Sequence, residues 1–230
     1  MDMRNFYLNH ADKLSAMALD VDAAARTLRT PGQRYFAIYD SIENLNELSA
    51  LEWGFGSISM ASALSREFKS YHAIDIAASN LPRDQDVSFD YGDHDLNRDL
   101  PFPDNSFDVS IAMMVIEHLF DPFHSFREIS RITKPDGFVV INFPLLTSIK
   151  NRLYLLFGEI PTTSSREWWN YEEWDGGHLH NFSIKLVKKL GEKYSLEMQG
   201  VYAVGNHLWL KNVSPQLFCH EASFVFRSAS

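Results

Sequence analysis

Two near-continuous apolar runs limit what this chain can fold into: FDVSIAMM at residues 107–114 and FVVINF at residues 138–143. A strand with one wet face alternates apolar and polar residues, whereas a run that is apolar throughout belongs to a strand covered on both faces. Such strands sit inside parallel sheets whose crossover helices pack on either side. The neighbouring sequence supplies the helices. Ser57 reads as an N-cap, and Ile58, Ala61, Leu64 and Phe68 follow at helical spacing. Asp121 reads as the next cap, with Pro122 at the first helical position and Phe123, Phe126, Ile129 and Ile132 on the buried side. KPDG at residues 134–137 reads as a turn into the second run. YHAID is a short strand ending in Asp75. The expectation is an α/β fold with a doubly wound, mostly parallel sheet.

The flanks read differently. Residues 1–47 predict an N-terminal helical cap, with Tyr35, Ile38, Ile42 and Leu45 at intervals. LLTSIKNRLYLLF at residues 145–157 predicts a strongly apolar helix. With only Lys150 and Arg152 on it, burial under a cap suits it better than a membrane surface. Residues 158–182 form an irregular stretch crowded with Trp and His. Ser183 then caps a helix carrying Ile184, Val187 and Leu190, and strands follow near 196–204 and 221–227. The organisation expected is a single domain over 1–230. It comprises the cap at 1–47, a core at 48–144, a substrate-side insertion at 145–182 and a C-terminal helix with strands at 183–230.

A chain of 230 residues buries a full core. Its 21 basic against 30 acidic side chains, a net charge of −9, argue against nucleic acid as the partner. Cys219 stands alone, so no disulfide framework is expected. The N-terminus is too charged for a signal peptide, and no apolar run spans a bilayer, so a cytoplasmic protein is expected.

LEWGFGSI at residues 51–58 carries the first chemical signal. Gly54 and Gly56 bare the backbone at a strand end, and the helix after Ser57 points unpaired N–H groups at the same place. Asp75, some twenty residues on, can accept from both hydroxyls of a ribose. The same features also describe a tight strand–helix turn, and Ile58 stands where a third glycine is common.

LEWGFGS, AID, DLNRDLPFPDNSFD, IEHL and KPDGFVVINFP, in that order, closely resemble the class I S-adenosylmethionine-dependent methyltransferases of the type 11 group. The resemblance covers roughly residues 48–144 and continues more loosely through GGHLHNFSIKLVKKL. It implies a Rossmann-like methyltransferase fold, seven-stranded with a last antiparallel strand and a helical, aromatic cap. It implies S-adenosyl-L-methionine as cofactor. Gly54, Phe55 and Gly56 would face the methionine part, with Glu52 orienting its amino group or the loop. Asp75 would hold the ribose and Ile76 would lie against the adenine. Asp95 would accept from the adenine amino group, with Asp93 as its rival, and the Leu96 N–H would donate to the ring. Met113 and Met114 would line the sulfonium. Ile58 departs from the pattern and puts affinity in question.

Transfer to an oxygen also needs a proton acceptor, and histidine suits that role near neutrality. His118, His178 and His180 are the candidates, each with a structural alternative in fastening the loop or cap. Asp175, His178 and His180 offer donors for a metal, but their spacing matches no zinc signature and no metal is expected. Trp168, Trp169, Tyr171 and Trp174 offer flat faces to an apolar or sugar ring. The acceptor expected is therefore a small molecule or glycan, and a homodimer is left open. The competing function is that of an accessory protein with this fold, binding cofactor weakly or not at all and acting through a partner enzyme.

Overall fold

The computed structural model describes residues 20–76, 78, 89–164 and 174–229. The start of the expected N-terminal cap, residues 1–19, lies outside them, as do Trp168, Trp169 and Tyr171. The strands are Ser49–Trp53 (β1), Ser70–Asp75 (β2), Asp90–Asp93 (β3), Phe107–Met113 (β4), Thr133–Pro144 (β5), Leu196–Ala203 (β6) and Glu221–Ser228 (β7). They form one seven-stranded sheet in the order β3-β2-β1-β4-β5-β7-β6. The first five are mutually parallel, and β7 runs antiparallel to both of its neighbours. This is the doubly wound, mostly parallel arrangement expected from the two apolar runs. The helices are Val21–Leu28 (α1), Phe36–Ser41 (α2), Ile58–Ser65 (α3), Pro122–Ile132 (α4), Ile149–Leu156 (α5), Ile184–Lys193 (α6), Leu208–Val213 (α7) and Pro215–Phe218 (α8).

The central strands divide their side chains between two cores. Trp53, Ala112, Val139, Ile141 and Phe143 face one side, where Phe126, Ile129 and Ile132 of α4 and Val187 and Leu190 of α6 meet them. Val109, Ile111, Met113 and Val140 face the other, against Ala24, Leu28 and Ile38 of α1 and α2 and Ala61 and Leu64 of α3. Because alternate residues reach opposite cores, neither face of β4 or β5 tolerates a polar side chain without a partner. Full burial of each such residue contributes about 1.5–3 kcal/mol.

The helix starts follow their caps. Ser57 Oγ accepts from the Met60 N–H, Asp121 Oδ1 from Phe123 and Ser183 Oγ from Leu186. Four expectations are corrected. Residues 134–137 turn as expected, with Asp136 at φ +58°, but inside the bounds of β5 rather than ahead of it: they have no partner in β4, whose pairing passes from Phe107–Thr133 to Val109–Phe138. Gly137 is required there, since a Cβ would lie 2.8 Å from the Lys134 carbonyl and 2.9 Å from that of Asp108. Phe123 is half exposed rather than buried. The apolar segment 145–157 begins its helix only at Ile149, because the Leu145 N–H pairs with the His220 carbonyl and that of Leu146 with Phe182. The fourth correction is the largest: Ile149, Leu153, Leu155, Leu156 and Phe157 face outward instead of lying under a cap.

Candidate functional site

In a sheet wound in both directions, ligands bind beyond the carboxyl ends of strands where the winding reverses. Here that point lies between β1 and β4. The register pairs Trp53 with Ile74 on one side and with Ala112 on the other, and pairs Asp75 with Asp93. Gly54, Asp75, Asp93 and Met113 therefore end four adjacent strands at one level. Gly54 holds φ +65°, and its N–H donates to the Ile74 carbonyl at 2.7 Å. Beyond it Gly56 is exposed, Ser57 is extended, and α3 starts at Ile58. Ile58 is half-buried at the first helical position.

The flanking residues differ in what they leave available to a ligand. The Phe55 ring is buried against Phe89 and Tyr91, at centroid distances of 5.6 and 6.2 Å, so its side chain serves the core rather than a ligand. Glu52 is fully buried. Tyr35 Oη donates to its Oε1 at 2.5 Å and the Tyr71 hydroxyl donates to its Oε2. Burial pushes its carboxyl above the ordinary range, and the two tyrosine hydrogen bonds oppose that shift. Glu52 thus ties the N-terminal segment and β2 to β1. Asp95 is held inside its own turn by the Asn97 N–H and side-chain amide, both at 3.0 Å, with Arg98 at 3.4 Å. Burial raises its pKa, but these partners outweigh it and leave the carboxyl below its usual range. Leu96 is buried in the core and Ile76 is half-buried beside Asp75. Met113 is buried, and Met114 adopts φ +57° where the chain leaves the sheet.

Strand ends level with one another, a carboxylate at β2, a second at β3 and soft methionines at β4 suit a sulfonium nucleoside. The acids can accept from hydroxyls and amines, and the methionines accommodate a polarizable centre. A side chain at Gly54 would instead collide with Val115, 2.5 Å from its Cγ2. This glycine therefore serves the packing of β1 against the β4 exit as well as any ligand.

The β4 exit continues into a 3-10 turn, Ile116–His118, and the loop at 174–182 closes on it. The Glu117 carbonyl accepts the Leu179 N–H at 2.8 Å and that of His180 at 3.3 Å. The His118 and His178 rings lie 4.8 Å apart. His118 Nδ1 is 3.2 Å from the Gly177 carbonyl, which only accepts, so Nδ1 carries the proton. Thr163 Oγ1 donates to Asp175 at 2.9 Å and so accepts from His178 Nδ1 at 2.7 Å. The neutral form of each ring then places its lone pair on Nε2. Burial lowers the His178 pKa and favours that neutral form. His180 is not brought to this pair, since its Nε2 lies 3.2 Å from the Phe120 carbonyl. Asp175 is engaged by Thr163 and Ser164 through backbone and hydroxyl, so Asp175, His178 and His180 do not form one donor set.

Glu117 was outside the sequence candidates. It is fully buried, and among the described residues no other residue hydrogen-bonds to either carboxyl oxygen. Burial raises its pKa to about 8, with its own backbone N–H and then Arg34 pulling the other way. No local pattern marks such a residue, because its isolation arises from where β4, Arg34 and the 174–182 loop meet. Trp174, from the expected aromatic surface, is 66% exposed.

Residues 51–141 match the family described as a methyltransferase domain. An uncharacterized methyltransferase of Schizosaccharomyces pombe is 50% identical over 40 residues, 17% of this chain and 14% of that protein. One from Mycobacterium sp. strain KMS is 29% identical over 147 residues, 62% of this chain and 51% of that protein. The chain spans at most about half the length of these curated relatives. Among solved structures, a chain in the complex between the Haloferax volcanii Trm112 methyltransferase activator and a methyltransferase aligns at TM-score 0.61 and 15% identity. That alignment covers 94% of this chain and all of that one. An S-adenosylmethionine-dependent methyltransferase from Mesorhizobium loti aligns at 0.58 and 14% identity, over 90% and 99%. At these identities the likeness shows the fold alone. Among the described residues, no helix is long and apolar enough to cross a membrane.

Proposed function

We propose that the chain, matched over residues 51–141 by the methyltransferase family, belongs to the type 11 group, binds S-adenosyl-L-methionine and methylates a small molecule or glycan at oxygen. The observation that supports this most is the level placement of Gly54, Asp75, Asp93 and Met113 at the winding reversal. Asp75 would hold the ribose hydroxyls, and Asp93, level with it at the end of β3, or Asp95 would take the adenine amine. Met113 and Met114 would line the methionine side. The bound cofactor supplies an electrophilic methyl group; the chain supplies position and orientation. His118 and His178, each with a lone pair on Nε2, would accept the acceptor's proton.

Isothermal titration with S-adenosyl-L-methionine tests the reading. Wild type should bind, and Asp75→Ala should weaken binding thirty- to several-hundred-fold, about 2–4 kcal/mol for charge-assisted bonds to two hydroxyls. No heat and no thermal shift at millimolar cofactor would sink it.

A second reading is favoured by the outward apolar side chains of α5 and by Ile58 in the glycine turn. On it, the chain binds cofactor weakly and acts through a partner protein; the H. volcanii structural neighbour is itself found in a complex with an activator. The same titration separates the two.

A further inference from the structure

We propose that Glu117, His118 and His178 bind a first-row divalent transition-metal ion. One Glu117 oxygen and one nitrogen of each imidazole all lie within 4.8 Å of one another. Bonds of about 2.1 Å to a tetrahedral ion hold its ligand atoms about 3.4 Å apart, so the cluster would draw inward to seat one.

The composition of the cluster points to a cation. A buried carboxyl is ordinarily matched by hydrogen-bond donors, an ion pair, a cation or a proton of its own, because leaving it bare and charged is costly. Among the described residues no other residue hydrogen-bonds to the Glu117 oxygens, and the nearby Arg34 is already committed to Glu221. The imidazoles do not serve as donors to it in their neutral form, since each Nδ1 proton is directed elsewhere, to Gly177 and to Thr163. The Thr163 contact has a further consequence. Asp175 orients Thr163, which orients His178, the outer-shell arrangement that fixes a ligating ring in other metal sites. Two imidazoles and a carboxylate suit zinc, manganese, iron or cobalt better than calcium or magnesium. Three protein ligands also leave a position for water or an oxygen of a bound molecule; with an ion seated, the imidazole lone pairs are used in ligation and no longer serve as proton acceptors. The ligands come from two segments, the turn after β4 and the 174–182 loop, so an ion would fasten one to the other.

The site is tested without cofactor or acceptor, so its failure and that of the methyl-transfer reading are distinguishable. The full chain, stripped with chelator, is titrated calorimetrically with Zn²⁺, and in parallel with Co²⁺ while visible absorption is followed. One saturable equivalent is expected, with Co²⁺ bands of nitrogen and oxygen ligation. Glu117→Gln and His178→Ala should each weaken Zn²⁺ at least about tenfold, the least that loss of an outer-shell partner alone costs. His180→Ala should leave binding unchanged. His178 is on a half-exposed loop, so its variant is informative even if Glu117→Gln disturbs folding, which circular dichroism reports. Absence of a saturable equivalent, or an equivalent that survives in both ligand variants, overturns the proposal.

Discussion

Gly54 and Val115 meet where β1 and β4 leave the sheet: a Cβ on Gly54 would lie 2.5 Å from Val115 Cγ2 and 3.1 Å from Cγ1. The turn and the β4 exit are therefore fitted to each other, independently of any ligand. Gly54→Ala should lower stability by about 1–3 kcal/mol, combining overpacking with the left-handed backbone. Adding Val115→Ala should recover part of the loss but not the backbone share. Urea denaturation of the single and double variants checks this, and equal stability of Gly54→Ala and wild type would refute it.

Arg131 grips Glu128 with two nitrogens, at 2.9 and 2.7 Å, and also donates to the Phe102 and Leu100 carbonyls. Glu128 in turn accepts the Leu100 N–H at 2.8 Å, so the pair clamps residues 100–104 onto α4. Arg131→Ala should cost about 1–3 kcal/mol, less than a fully buried pair because Arg131 is partly exposed.

The same pair sets an acid limit. Arg131 holds the Glu128 carboxyl below its ordinary value of 4.5 despite burial. A group depressed on folding contributes fully above its unfolded pKa and loses that contribution as pH falls through the folded one. Stability should therefore decline below about pH 4.5, and Glu128→Gln should flatten that part of the curve. Thermal melts from pH 6 to 3 measure it.

Tyr35 and Tyr71 both donate to the buried Glu52 carboxylate. Tyr35→Phe and Tyr71→Phe should each destabilise by about 1–3 kcal/mol, since the remaining partner cannot satisfy the carboxylate alone. The Tyr35 variant should also loosen the N-terminal segment, read as faster amide exchange at Ala37 and Ile38. Unchanged exchange would mean that apolar packing alone fixes that segment.

Leu156 and Phe157 are 75% and 79% exposed. Leu156→Lys and Phe157→Lys should shift stability by no more than about 0.5 kcal/mol in the isolated chain. A larger loss would show that α5 is covered in solution.

Much of the sheet was legible before any coordinates. The apolar runs at 107–114 and 138–143 required strands buried on both faces, and Ser57, Asp121 and Ser183 marked their helix starts. Those signals are local: a cap answers backbone groups within three residues, and a doubly buried strand has no polar position to spare. The glycine turn and the acid ending β2 were likewise readable, because both depend on spacing along the chain. The fate of apolar residues that could pack either way was not readable. Phe126 found a core and Phe123 water; α5 kept its leucines outside. Nor could spacing separate His178, carried to His118, from His180 two residues on, which turned to the Phe120 carbonyl. The isolation of Glu117 and the sharing of Thr163 between Asp175 and His178 are set by segments far apart in sequence. Burial and proton placement are properties of what surrounds a group on every side, and only the closed chain supplies those surroundings.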